Sequence, residues 1–108
     1  MSYTRACSFS ELVDSTPVKV DVDGLDLAVV RHGDEVFAIE DECSHAAVAL
    51  SEGDVEDCTL ECFLHGSRFD LRTGKPTGPP ATEPVPVYAV QVDGDDVLID
   101  IESPIGGN

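Results

Sequence analysis

Positive charge is scarce in this sequence: 6 of its 108 residues are Lys or Arg, against 22 Asp and Glu, for a formal charge of −16. Such a chain repels polyanions, which argues against DNA, RNA or an anionic membrane as a partner and for a docking partner with a basic surface. The acidity serves either solubility in salt or steering toward that partner, and composition leaves both open. Long apolar runs are missing as well. No stretch approaches the roughly 18 consecutive apolar residues of a membrane span, and Met1-Ser2-Tyr3-Thr4 lacks the basic start and apolar run of a signal peptide. The expected compartment is therefore the cytoplasm, with no membrane association.

Histidine occurs only at His32, His45 and His65. Because no histidine follows His65, the two-histidine, one-carboxylate iron site of an oxygenase catalytic subunit has no ligands downstream. A G-x-G-x-x-G fingerprint for a nicotinamide or flavin cofactor is absent too. The chain is expected to do no substrate chemistry and not to be an enzyme in its own right.

What the sequence does hold is β pattern at both ends. Ser8 and Glu11 have capping-box spacing, so a helical turn should follow a first strand around Tyr3–Ala6, with Phe9, Leu12 and Val13 facing inward. Val18–Val22 alternates, meets the hairpin signal Asp23-Gly24, and resumes in Leu25–Arg31; a turn at His32-Gly33-Asp34 leads to Glu35–Glu40. Val87–Val92 and Asp96–Ile101, joined through Asp93-Gly94, form a second hairpin, and Ile105–Asn108 reads as a loose tail. A chain of this length fits one domain of the usual size, placed at residues 1–103 with a flexible tail at 104–108. Between the β blocks, residues 41–86 lose strand periodicity and are punctuated by Gly and Pro, a loop-rich insertion longer than ordinary connections and therefore expected to be functional.

That insertion contains Cys43-x-His45 and, after sixteen intervening residues, Cys62-x-x-His65-Gly66. Each pair fits on one tight loop, and Gly66 allows a sharp turn behind His65. In a reducing compartment the four cysteines, Cys7, Cys43, Cys58 and Cys62, read as ligands or free thiols rather than as disulfides. Two metals suit two Cys and two His. Zinc takes a tetrahedral Cys2His2 set, but its fingers space a Cys pair and then a His pair. A Rieske [2Fe-2S] centre needs Cys on one iron and His on the other, which suits two mixed pairs.

With Arg68-Phe69-Asp70, Thr73-Gly74 and the proline loop Pro76, Gly78, Pro79 and Pro80, these motifs resemble Rieske ferredoxins, and the likeness extends over essentially the whole chain. The resemblance implies an all-β fold: a Rieske-type antiparallel β sandwich or barrel with a smaller cluster-binding lobe at about residues 42–80. It implies one [2Fe-2S] cluster, with Cys43 and Cys62 on the inner iron and His45 and His65 on the outer iron through Nδ1. Gly66, Ser67 and Pro79 would surround that cluster, with the proline loop shielding it. Neutral imidazoles in place of thiolates raise the potential relative to a four-cysteine cluster, and proton loss from the two histidines should couple to oxidation.

The respiratory type of this family adds a disulfide between the two loops. Val48 and Leu64 stand where its cysteines would fall, so Cys7 and Cys58 are read as free thiols and the chain as the disulfide-free ferredoxin class. The respiratory type also places a serine and a tyrosine where this chain has Ser67 and Phe69; Phe69 has no hydroxyl to donate to cluster sulfur, whereas Ser67 has one. Half of the basic residues, Arg68, Arg72 and Lys75, gather after Ser67. The preferred reading pairs Arg68 and Arg72 with neighbouring acids such as Asp70; the sharper one makes them a docking feature. His32, in a turn, is read as solvent-exposed and without a role.

The implied function is a soluble, monomeric one-electron carrier between a reductase and a terminal non-heme iron oxygenase, docking transiently at the His45/His65 end. The wording from Leu64 to Tyr88 also resembles small Rieske proteins that accompany sulfur mobilisation for iron-sulfur cluster assembly, and a structural zinc module is the third reading.

Overall fold

The computed structural model describes residues 3–41, 49–56, 58–62, 68–77, 84–102 and 104–105. Among these, nine strands form two antiparallel sheets. The larger contains β1 (Thr4–Ser8), β2 (Pro17–Val22), β3 (Leu25–His32), β4 (Glu35–Glu40), β8 (Val87–Asp93) and β9 (Asp96–Asp100), in the order β1-β9-β8-β4-β3-β2. Its edge strands β1 and β2 approach one another, so the sheet nearly closes into a barrel. The smaller sheet, β5 (Asp54–Glu56), β6 (Thr59–Glu61) and β7 (Arg68–Asp70), runs in chain order. The all-β expectation holds, with a barrel-like body and a separate small sheet.

The hairpins form where the turn chemistry places them. Asp23 and Gly24 both adopt positive φ, 51° and 87°, as a tight turn between twisted strands requires. The Gly24 amide donates to Asp21 Oδ1 at 3.1 Å, and the register runs from Val22↔Leu25 to Pro17↔Val30. Ser8 and Glu11 bracket a single 3-10 turn, Phe9–Glu11, in which the Ser8 amide donates to the Glu11 carboxylate at 3.1 Å. Leu12 is buried behind it, but Val13 is 64% exposed. The expectation that Val13 faces inward fails because a turn this short ends before a second inward position, and the chain at Leu12 is already extended.

The larger sheet has a core on each side. Inside the barrel, Leu27 and Val29 of β3 pack with Ala38, Tyr88, Val97 and Ile99. On the opposite face, Ala28 and Val30 of the same strand pack with Ile39, Leu60, Phe69 and Leu71. The uninterrupted run Leu27-Ala28-Val29-Val30 is thus buried on both faces, which is why it does not alternate. Burying a Leu or Val side chain completely contributes about 1.5–3 kcal/mol, so this run anchors both layers at once. The small sheet lies over that outer wall.

Residues 41–86, read from the sequence as loop, contain all three strands of the small sheet. Each has three residues and sends one apolar side chain inward: Val55, Leu60 and Phe69, aligned as cross-strand pairs. At the far end of the chain the Ile105 amide donates to the Val87 carbonyl at 2.7 Å, so the last described residue is tied to β8.

Candidate metal centre

Alternation along β6 determines where the second Cys falls. Leu60 points into the core, Glu61 points out and meets Arg68 across the ladder, and Cys62, one step further, turns inward and is fully buried. Among the described residues Glu61↔Arg68 is the last pair between β6 and β7, so Cys62 leaves β6 beside the start of β7. Cys43, His45, His65, Gly66, Ser67 and Pro79, with Val48 and Leu64, lie outside the described residues.

The described residues fix the feet of the three segments that carry them. Leu50 follows 42–48, Cys62 precedes 63–67 and Val85 follows 78–83, and all three belong to one buried cluster with Leu60, Phe69 and Leu71. Residues 75–77 run beside β7, with the Asp70 amide donating to the Lys75 carbonyl at 2.9 Å and the Thr77 amide to the Arg68 carbonyl at 2.8 Å. The Val85 amide donates to the Gly74 carbonyl at 2.9 Å. The cysteine-bearing strand and the proline segment are therefore secured at the same end of the small sheet.

This setting suits a thiolate-held iron. Cys62 presents its sulfur within an apolar cluster, where a soft ligand compensated by a metal is acceptable and an unpaired charge is not. Among the described residues no three metal-binding side chains come together, three of the four expected ligands lying outside them.

Two of the three basic residues after Ser67, Arg68 and Arg72, are engaged. Arg68 Nη2 lies 3.1 Å from Glu61 Oε2 and Nη1 lies 3.4 Å from Thr59 Oγ1. Arg72 Nη2 lies 3.4 Å from Glu35 Oε1, with its guanidinium over the Phe37 ring. Pairing is thus the right reading, but the partners are Glu61 and Glu35, brought close by the ladder and by packing between the sheets. Asp70 instead accepts the Arg72 and Thr73 amides at 2.7 and 3.2 Å, holding the turn after β7. Phe69 is fully buried beneath the sheet.

Cys7 and Cys58 carry no disulfide. Burial pushes the Cys58 thiol up, opposed by Arg72; burial and the nearby Glu11 push Cys7 up, opposed by Arg5. Neither setting activates a thiol. His32 is half-buried rather than exposed, and its Nδ1 is enclosed without a hydrogen-bond partner among the described residues.

One interaction escaped sequence reading. Asp41, buried at the end of β4 just before the Cys43 segment, accepts hydrogen bonds from the Ser51 amide at 2.6 Å and the Ser51 hydroxyl at 2.8 Å. The only local signal was an acid flanking a cysteine motif in a chain full of acids.

Residues 2–89 match the model of the Rieske [2Fe-2S] domain, and the chain belongs to that family, with one Rieske-type [2Fe-2S] cluster as its cofactor. That membership decides between the two metals which the donor set left open, in favour of iron and against zinc. The chain is 40% identical over 105 residues to the ferredoxin component of biphenyl 2,3-dioxygenase from Rhodococcus jostii, covering 97% of this chain and 98% of that one. It is 38% identical over 102 residues to the ferredoxin subunit of 3-phenylpropionate/cinnamic acid dioxygenase from Escherichia coli, covering 94% and 95%. Among solved structures, the ferredoxin of carbazole 1,9a-dioxygenase from Nocardioides aromaticivorans superposes with a TM-score of 0.88 at 42% identity, over 92% of this chain and 97% of that one. A complex of reduced oxygenase and oxidized ferredoxin in carbazole 1,9a-dioxygenase contains a chain with the same TM-score at 35% identity, over 95% and 96%.

Proposed function

We propose that this protein is the ferredoxin of a ring-hydroxylating dioxygenase system, taking single electrons from a reductase and delivering them to a terminal non-heme iron oxygenase. The observation that carries this reading is the near end-to-end correspondence with dioxygenase ferredoxin components at 40% identity.

Cys43 and Cys62 would hold the inner iron, and His45 and His65 the outer one. When bound, the cluster supplies a one-electron couple whose potential the imidazole ligands raise above that of an all-thiolate centre. The chain's own residues do the rest. Leu50, Leu60, Phe69, Leu71 and Val85 close the apolar side of Cys62 and keep water from its sulfur. The His45/His65 end is the docking surface, and a net charge of −16 draws basic partner surfaces toward the molecule. Among the described residues no helix is long and apolar enough to cross a membrane, and we place the protein in the cytoplasm as a monomer.

Stopped-flow mixing tests the function. The reduced protein should be oxidised by a ring-hydroxylating oxygenase in a single one-electron phase, and a flavin reductase should reduce it again. A protein that is red-brown and shows the rhombic spectrum of mixed Cys/His ligation, yet exchanges electrons with neither partner class, would refute the assignment.

A further inference from the structure

We infer that Asp41 is a positioning residue for the cluster, acting through Ser51 to hold both ligand loops in one spacing; this rests on the reading of Cys43, His45, Cys62 and His65 as ligands. Four hydrogen bonds fix the end of β4. The Glu40 amide donates to the Pro86 carbonyl at 3.0 Å, the Asp41 amide donates to the Asp26 carbonyl at 3.0 Å, and the Asp41 carboxylate receives both Ser51 donors. Residue 41 is thus tied to β3 and to the 3-10 turn Leu50–Glu52, and its neighbour Glu40 to the approach of β8.

The bond to Ser51 joins the two ends of the segment that carries Cys43 and His45. Its entry, Asp41, and its exit, Ser51, are locked by two hydrogen bonds to a buried carboxylate, the strong kind. The same turn also contacts the other loop. Gly53, which closes it with an amide donated to the Leu50 carbonyl at 2.9 Å, lies so close to the Glu61 carbonyl that a Cβ there would collide with backbone. Glu61 directly precedes Cys62. A continuous path of short contacts therefore runs from Asp41 through Ser51 and Gly53 to the residue before the second ligand. Displacing Ser51 would shift one loop relative to the other.

Three variants of the holoprotein test this. Asp41→Ala should bleach about tenfold faster under a chelator, the low end of what supporting residues contribute around a metal, and should broaden the rhombic signal of the reduced cluster. Asp41→Asn should restore both, since its amide oxygen accepts the Ser51 amide and its NH2 donates to the Ser51 hydroxyl. A wild-type line shape and bleaching rate in Asp41→Ala, even with a lowered Tm, would overturn the inference and leave Asp41 a fold residue only. If Asp41→Ala does not fold, Ser51→Ala decides, because it removes one of the two bonds: an intermediate bleaching rate supports positioning and a wild-type rate refutes it. Cys43→Ala, made alongside, separates the two levels. If it is colourless while Asp41→Ala behaves as wild type, only this inference fails; if it keeps the cluster, the ligand reading fails and takes this inference with it.

Discussion

Arg72 reaches from the turn after β7 to Glu35 on β4, 3.4 Å away, and lays its guanidinium over Phe37 of the same strand at 5.4 Å. Both charged side chains are more than half exposed, at 53% and 61%, so the ion pair itself is worth less than about 1 kcal/mol. The stacking over Phe37 adds a similar amount. Arg72→Ala should therefore cost less than about 2 kcal/mol and lower Tm by at most about 10 °C by calorimetry. Because salt screens exposed pairs but not the ring contact, Glu35→Gln should cost less than Arg72→Ala and lose its effect near 1 M salt. Equal losses in the two variants would show that the charge, not the packing, joins the layers.

Gly74 adopts φ 76°, and a Cβ there would meet the Val85 carbonyl oxygen and the Val87 side chain. Its amide donates to the Asp70 carbonyl at 2.7 Å, and its own carbonyl receives the Val85 amide. Gly74→Ala should thus cost about 2 kcal/mol or more, a fall of about 10 °C in Tm. Gly24 provides the control: its φ is 87° but nothing lies within 4 Å of an added Cβ. Gly24→Ala should cost only the left-handed backbone strain, about 1 kcal/mol. Similar melting temperatures for the two variants would mean that the Val85 backbone yields readily.

Legibility followed the amount of structure that each residue pattern encodes. The hairpins at Asp23-Gly24 and Asp93-Gly94 were readable because a tight turn demands those residues and long strands flank both. The small sheet was not, because strands of three residues with one inward side chain each leave no period to detect. The partners of Arg68 and Arg72 were missed for a related reason. Glu61 is seven positions away across a ladder and Glu35 belongs to another sheet, whereas sequence proximity favoured Asp70. At the site the Cys/His spacing carried the chemistry; Cys62, read as part of a tight loop, follows β6 directly and is buried, and Cys43, His45 and His65 lie outside the described residues. The Asp41–Ser51 bond has no periodic or spacing signal at all, since it depends on two segments meeting in space.

Alkaline pH should weaken the fold. Burial first, then the Glu11 carboxylate, raises the Cys7 thiol above its ordinary 9.0; burial likewise raises Cys58. The native state therefore keeps these protons to higher pH than the unfolded chain does. The advantage is complete below 9.0 and is lost as pH climbs from there toward the native values. Tm measured from pH 7.5 to 10.5 (roughly the span bracketing thiol titration) should fall more steeply in the wild type than in the Cys7→Ser/Cys58→Ser variant. Parallel slopes would assign the alkaline loss to other groups, Tyr88 among them, whose hydroxyl burial also raises.

We propose Ser67 as a further control over potential. A hydroxyl that donates to cluster sulfur favours the reduced, more negative form and so raises the midpoint. Phe69, two positions on, is fully buried and has no hydroxyl to offer, so of these two residues only Ser67 carries one. Ser67→Ala should then lower the midpoint by some tens of millivolts in protein-film voltammetry, with the visible spectrum and iron content unchanged. Phe69→Tyr should not raise it by a comparable amount, because its ring sits in the core beneath the small sheet and a new hydroxyl there would first need a partner of its own. An unmoved midpoint in Ser67→Ala would show that the serine makes no bond to the cluster, and the potential would then rest on the imidazole ligands and on burial alone.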